Sequence, residues 1–144
     1  MKQLHTIIMA NENTFSYHRG TFTLSVKQNG APIEKGTLVT FDGSQSYVKA
    51  CGAKEYPLGI ALRDANPTKD QDAHVSIQPL TCTDQSARVL VDENVKAGDL
   101  LGLADNGKAK KLTKDMLYIG VALTDGAKGA LIETLTTLPQ NLIK

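Results

Sequence analysis

Pro57-Leu58-Gly59-Ile60-Ala61-Leu62-Arg63-Asp64, PLGIALRD, returns 61 residues later as YIGVALTD, Tyr118 to Asp125. The frame around the phrase repeats with it. Gly36-Thr37-Leu38-Val39 stands 23 residues ahead of Gly59, and Gly98-Asp99-Leu100-Leu101 stands 22 ahead of Gly120. After Asp64 and Asp125 each copy turns and leaves along an apolar segment, HVSIQPL in the first and ALIETLTTL in the second. Spacing conserved this closely marks internal duplication, with repeat units over about 35–80 and 97–138. A glycine that opens a strand predicts close approach of another backbone or a bend at a barrel corner, where a Cβ would collide. Ile60 with Leu62, and Val121 with Leu123, then share one face, while Ala61 and Ala122 face the other way. Asp64 and Asp125 fall at strand ends. There a carboxylate can accept bonds from the backbone N–H groups of the following turn, a more economical reading than a paired acid/base or metal site.

The rest of the chain fits an all-β domain over residues 21–144. Thr21 to Val26 alternates polar and apolar residues and is followed by Asn29-Gly30, a turn signal. Further strands are expected at Thr37 to Phe41, Leu58 to Leu62, His74 to Ile77, Ala87 to Val91, Leu100 to Leu103, Ile119 to Leu123 and Ala130 to Thr134. Asp42-Gly43, Asn66-Pro67, Asp105-Asn106-Gly107 and Asp125-Gly126 punctuate them. At most one turn near Thr113 to Met116 has helical character. The architecture expected is a small β-barrel or barrel-like sandwich built from two related β units closing around a shared apolar interior, preceded by an N-terminal extension.

Composition removes several function classes. Sixteen basic and fifteen acidic side chains leave a net charge of +1, too little to reward a phosphate backbone or an anionic lipid surface, so no nucleic-acid or membrane partner is expected. No apolar run approaches the ~20 residues of a bilayer-spanning helix. MKQLHTIIMA at the start has too short an apolar patch for a secretion signal. Cys51 and Cys82 lack metal-ligand spacing and read as reduced thiols, although a disulfide between them stays open. His5, His18 and His74 belong to no nucleophile or zinc motif, so no catalytic residue, metal or cofactor is expected. Lys108, Lys110, Lys111 and Lys114 read as a solvated hairpin that discourages edge-to-edge pairing.

Residues 1–20 admit two readings. Phe15, Tyr17, His18 and Arg19 are good interface anchors, so the segment can be an arm that contacts a capsid or a neighbouring protomer. Alternatively Met1 to Met9 adds an edge strand, and Phe15 and Tyr17 pack on the core.

The run VKAGDLLGLADNGKA, a lysine-rich connection, YIGVALTD and GAKGALIETL resembles the capsid cement or decoration proteins of tailed bacteriophages, a family once catalogued as DUF2190. The resemblance is strongest over Ala87 to Leu135 and is echoed over Lys35 to Leu80. It implies an all-β virion protein, made in the bacterial host cytoplasm, that binds the major capsid protein on the outer surface of the assembled head. It further implies a homotrimer that stabilises the shell without catalysis. The alternative is a carbohydrate- or receptor-binding β module, whose aromatic platform four tyrosines and no tryptophan would have to supply.

Overall fold

The structure, a computed structural model, describes residues 21–44, 46–80 and 86–140. Among them the chain runs through strands β1 (Phe22–Val26), β2 (Leu38–Phe41), β3 (Tyr47–Ala50), β4 (Gly59–Ala61) and β5 (His74–Pro79). It continues through β6 (Ala87–Leu90), β7 (Leu100–Leu103), β8 (Ala109–Lys111), β9 (Tyr118–Ala122) and β10 (Leu131–Gln140). A single 3-10 turn, Asp105–Gly107, joins β7 to β8.

The first five strands close a barrel in the order β1-β3-β2-β4-β5, with β5 returning antiparallel to β1. Its one parallel seam joins β1 to β3 through Ser25↔Tyr47 and Val26↔Val48. The second five form a sheet in the order β6-β10-β9-β7-β8. That is the same circuit, opened at the same seam. The sheet curls until a parallel bridge, Val91↔Ala109, links its two ends where the first barrel has Val26↔Val48. The duplication therefore extends upstream of the repeated phrase to include β1 and β6.

Equivalent hydrogen bonds hold the two copies. Gly36 N donates to Ala61 O at 2.8 Å and Gly98 N to Ala122 O at 2.8 Å; Ala61 N donates to Thr37 O at 2.8 Å and Ala122 N to Asp99 O at 2.9 Å. The bridges Ile33↔Ala65 and Val95↔Gly126 match in the same way.

The interior is divided rather than shared. Val26, Val39, Val48, Ala61, Val75 and Ile77 fill the first barrel, while Val89, Val91, Leu101, Leu103, Ile119 and Ile132 belong to the second. So few short strands enclose room only for their own inward side chains, so each unit makes its own core. Leu38, Cys51, Ile60 and Leu80 of the first unit join the second cluster, which places them at the junction between the barrels.

Two strands escaped the sequence reading, β3 and β8, because Tyr-Val-Lys-Ala and Ala-Lys-Lys each send a single residue inward, Val48 and Ala109. β8 lies inside the lysine run and forms the expected hairpin with β7, pairing Leu101↔Lys111 and Leu103↔Ala109. Thr113 to Met116 is a turn rather than a helix, with Asp115 at φ 67° and Met116 N donating to Thr113 O at 3.3 Å. β10 runs past Thr134 to Gln140, and the register shift between Thr136 and Gln140 accommodates Pro139, which has no N–H for a ladder.

Candidate assembly surface at the barrel junction and beyond it

Gly59 opens β4 and Gly120 stands within β9, at matching points of the two circuits, opposite Val39 and Leu101. A Cβ on Gly59 would collide with the carbonyl oxygen of Gln78 on β5, and one on Gly120 with that of Leu135 on β10. Close approach of a neighbouring strand is thus a reason for glycine at both positions, and at Gly120 a φ of 155° adds a second.

Asp64 and Asp125 also correspond, but they cap a different turn from the one expected. Asp64 Oδ1 accepts from Lys35 N at 2.7 Å and Asp125 Oδ1 from Ala97 N at 2.8 Å. Each carboxylate therefore ties the end of its strand to the glycine turn that launches β2 or β7, not to the turn that follows it. Gly36 and Gly98 supply those turns with φ of 87° and 92°, a region open to glycine at little steric expense.

The two glycine turns differ in what surrounds them. A Cβ on Gly36 would strike Leu131 and crowd Leu90, whereas one on Gly98 would meet nothing within 4 Å. Gly36 stands at the junction: Leu90 N donates to its carbonyl at 2.9 Å, and Gly107 N donates to Cys51 O at 2.6 Å. Thr136 Oγ1 donates to Leu80 O at 2.9 Å. Beside these contacts lies a cleft of about 400 Å³ lined by Lys35, Ala61, Leu62, Gln78, Ser86, Arg88 and Glu133. On its wall Ser86 Oγ donates to Glu133 Oε2 at 2.5 Å and Arg88 Nε to Oε1 at 2.6 Å, holding the Glu133 carboxyl below its ordinary range.

Cys51 is a free thiol buried in the junction, pushed up to about 12 by desolvation and then by the Glu55 charge. It carries essentially no thiolate at neutral pH and offers no nucleophile. Cys82 lies outside the described residues, as do Phe15, Tyr17, His18 and Arg19. No group of three or more His, Cys, Asp or Glu side chains capable of holding a metal occurs among the described residues.

Strand register gives a surface that sequence reading missed. Across β2, β4 and β5 the row Leu38, Ile60, Gln78 points out of the first barrel; the corresponding row across β7, β9 and β10 is Leu100, Val121, Leu135. Leu38, Ile60 and Gln78 are 0%, 1% and 3% exposed, sealed against the second unit, while Leu100 and Leu135 are 47% and 59% exposed. Leu123 and Leu138 are exposed as well, at 47% and 55%. Alternating leucines in a strand look alike whether their face is covered or not; only the docking of one barrel on the other distinguishes them.

No family model matches the chain, and no curated protein does. Among solved structures it is similar to the N base of the head fiber gp8.5 of bacteriophage phi29, with a TM-score of 0.62 and 17% identity. The match covers 84% of this chain and 97% of that one. At that identity the likeness is one of fold.

Proposed function

We propose that the protein decorates a bacteriophage head, binding the major capsid protein on the outside of the assembled shell as a homotrimer and stabilising it. The observation that supports this reading most is the fold: a paired-barrel module nearly coextensive with the N base of a phage head fiber. The surface chemistry agrees with it. Closed or nearly closed barrels hide their strand edges, so what remains for contact is an outer skin with an exposed apolar row and a cleft between the units. Attachment by such a skin needs area and repetition rather than chemistry, because a symmetric oligomer engages several shell subunits at once and its weak contacts multiply. Whatever binds the expanded shell better than its alternatives shifts the shell toward that state.

The test is cosedimentation of the full chain with empty heads of the phage that encodes it. Saturable binding is expected, together with heads that resist heating longer when coated; absence of saturable binding overturns the reading. Deleting residues 1–18 is expected to abolish cosedimentation while leaving the β domain folded. Undiminished binding would remove the arm from the account.

A further inference from the structure

We propose that the cleft between the barrels binds a carboxylate, held by the Gln78 amide, the Lys35 ammonium and the Arg88 guanidinium. The site is independent of shell attachment.

Gln78 is the residue that calls for a ligand. By register it is the counterpart of Leu135, since Ile60 pairs with Gln78 as Val121 pairs with Leu135. The duplication thus carries leucine on the open copy, 59% exposed, and glutamine on the sealed one, 3% exposed. Burial alone favours the reverse. Among the described residues the buried Gln78 Nε2 has no hydrogen-bond partner. A buried donor left unmade is costly, and an apolar side chain of the same shape would remove that cost. An amide at such a position requires an acceptor, and Gln78 lines the cleft of about 400 Å³ through which one can reach it.

The other polar groups around the cleft select the acceptor. Glu133, the carboxylate on its wall, is already committed, with Oε1 accepting from Arg88 Nε and Oε2 from Ser86 Oγ. Arg88 spends only Nε on that contact and keeps its Nη groups to donate. Lys35 Nζ is in no ion pair among the described residues, and its backbone N–H alone is engaged, by Asp64. Two cations against one carboxylate leave the opening net positive. A carboxylate answers these donors with a planar pair of oxygens that suits the guanidinium. A phosphate dianion would bring twice the charge against Glu133. Ala61 and Leu62 supply an apolar wall for the aliphatic stem of the acid.

NMR titration of the isotope-labelled full chain, read at the Gln78 side-chain amide, tests the site. The probes are glutarate, the capped peptide acetyl-Ala-Glu-Ala-amide, its glutamine counterpart and inorganic phosphate. Glutarate or the glutamate peptide should shift the Gln78 NH2 signals saturably. The tighter of the two tells whether a free acid or an acidic protein segment is the source. The glutamine peptide and phosphate should each bind more weakly by about tenfold or more. Lys35→Gln should weaken binding about tenfold, and Gln78→Met, read at the Leu62 and Arg88 backbone amides, should do the same with Tm equal to or above that of the wild type. Absence of a saturable shift in the wild type, tighter binding of phosphate, or binding indifferent to both substitutions overturns the inference. Asp84→Asn is run in parallel, because Asp84 lies outside the described residues and close to Ser86 in sequence. Binding that appears only in that variant would assign the cleft to the chain's own carboxylate and overturn the inference as well.

Discussion

Gly59→Ala and Gly120→Ala are each expected to destabilise the protein by about 3 kcal/mol, the upper end for overpacking, and to lower Tm by about 10 °C in a domain of this size. The added methyl meets a backbone carbonyl of the adjacent strand in both cases, Gln78 O or Leu135 O, and not the flexible end of a side chain. A carbonyl committed to a barrel ladder yields only if the strand moves, so the strain spreads into the closure of the barrel. Gly98→Ala makes the necessary contrast. Its Cβ enters open space, and only the positive φ of 92° opposes it, for a loss of about 1 kcal/mol. Thermal unfolding of the three variants side by side checks the order. A loss at Gly59, which has no positive φ, no larger than that at Gly98 would show that strand approach does not select the glycine of the repeated phrase.

The second large effect separates two leucines at the same strand position. Leu38→Ala removes a fully buried side chain at the junction and should cost about 3 kcal/mol, within the range for buried leucine truncation. Leu100→Ala, its counterpart on β7, changes a half-exposed side chain and should stay within about 0.5 kcal/mol for the monomer. Denaturant unfolding at low protein concentration measures both. A loss at Leu38 as small as that at Leu100 would mean that the barrels do not seal against each other.

Strands such as β5 and β6 were legible in the sequence because alternate side chains enter one core, Val75 with Ile77 and Ala87 with Val89, while β2 and β4 are short apolar runs buried on both faces. Gly59 and Gly120 announced close backbone approach for the same reason: no other residue leaves that space. β3 and β8 were not legible, since one inward residue per strand leaves no period to detect. The partners of Asp64 and Asp125 also escaped notice, because Lys35 and Ala97 reach them through the fold from 29 and 28 residues away. The divided interior and the open leucine row are tertiary facts of a further kind. Leu38 and Leu100 are the same residue in the same local pattern, and their difference arises only when one barrel docks on the other.

Thiol labelling of Leu38→Cys and Leu100→Cys, each in a Cys82→Ser background, tests the docking of one barrel on the other most directly. Cys51 stays silent as a buried, protonated internal reference. In dilute native solution the cysteine at position 100 should react at close to the rate of a free thiol, and the one at 38 only as fast as the protein opens. Comparable rates at the two positions would contradict the account.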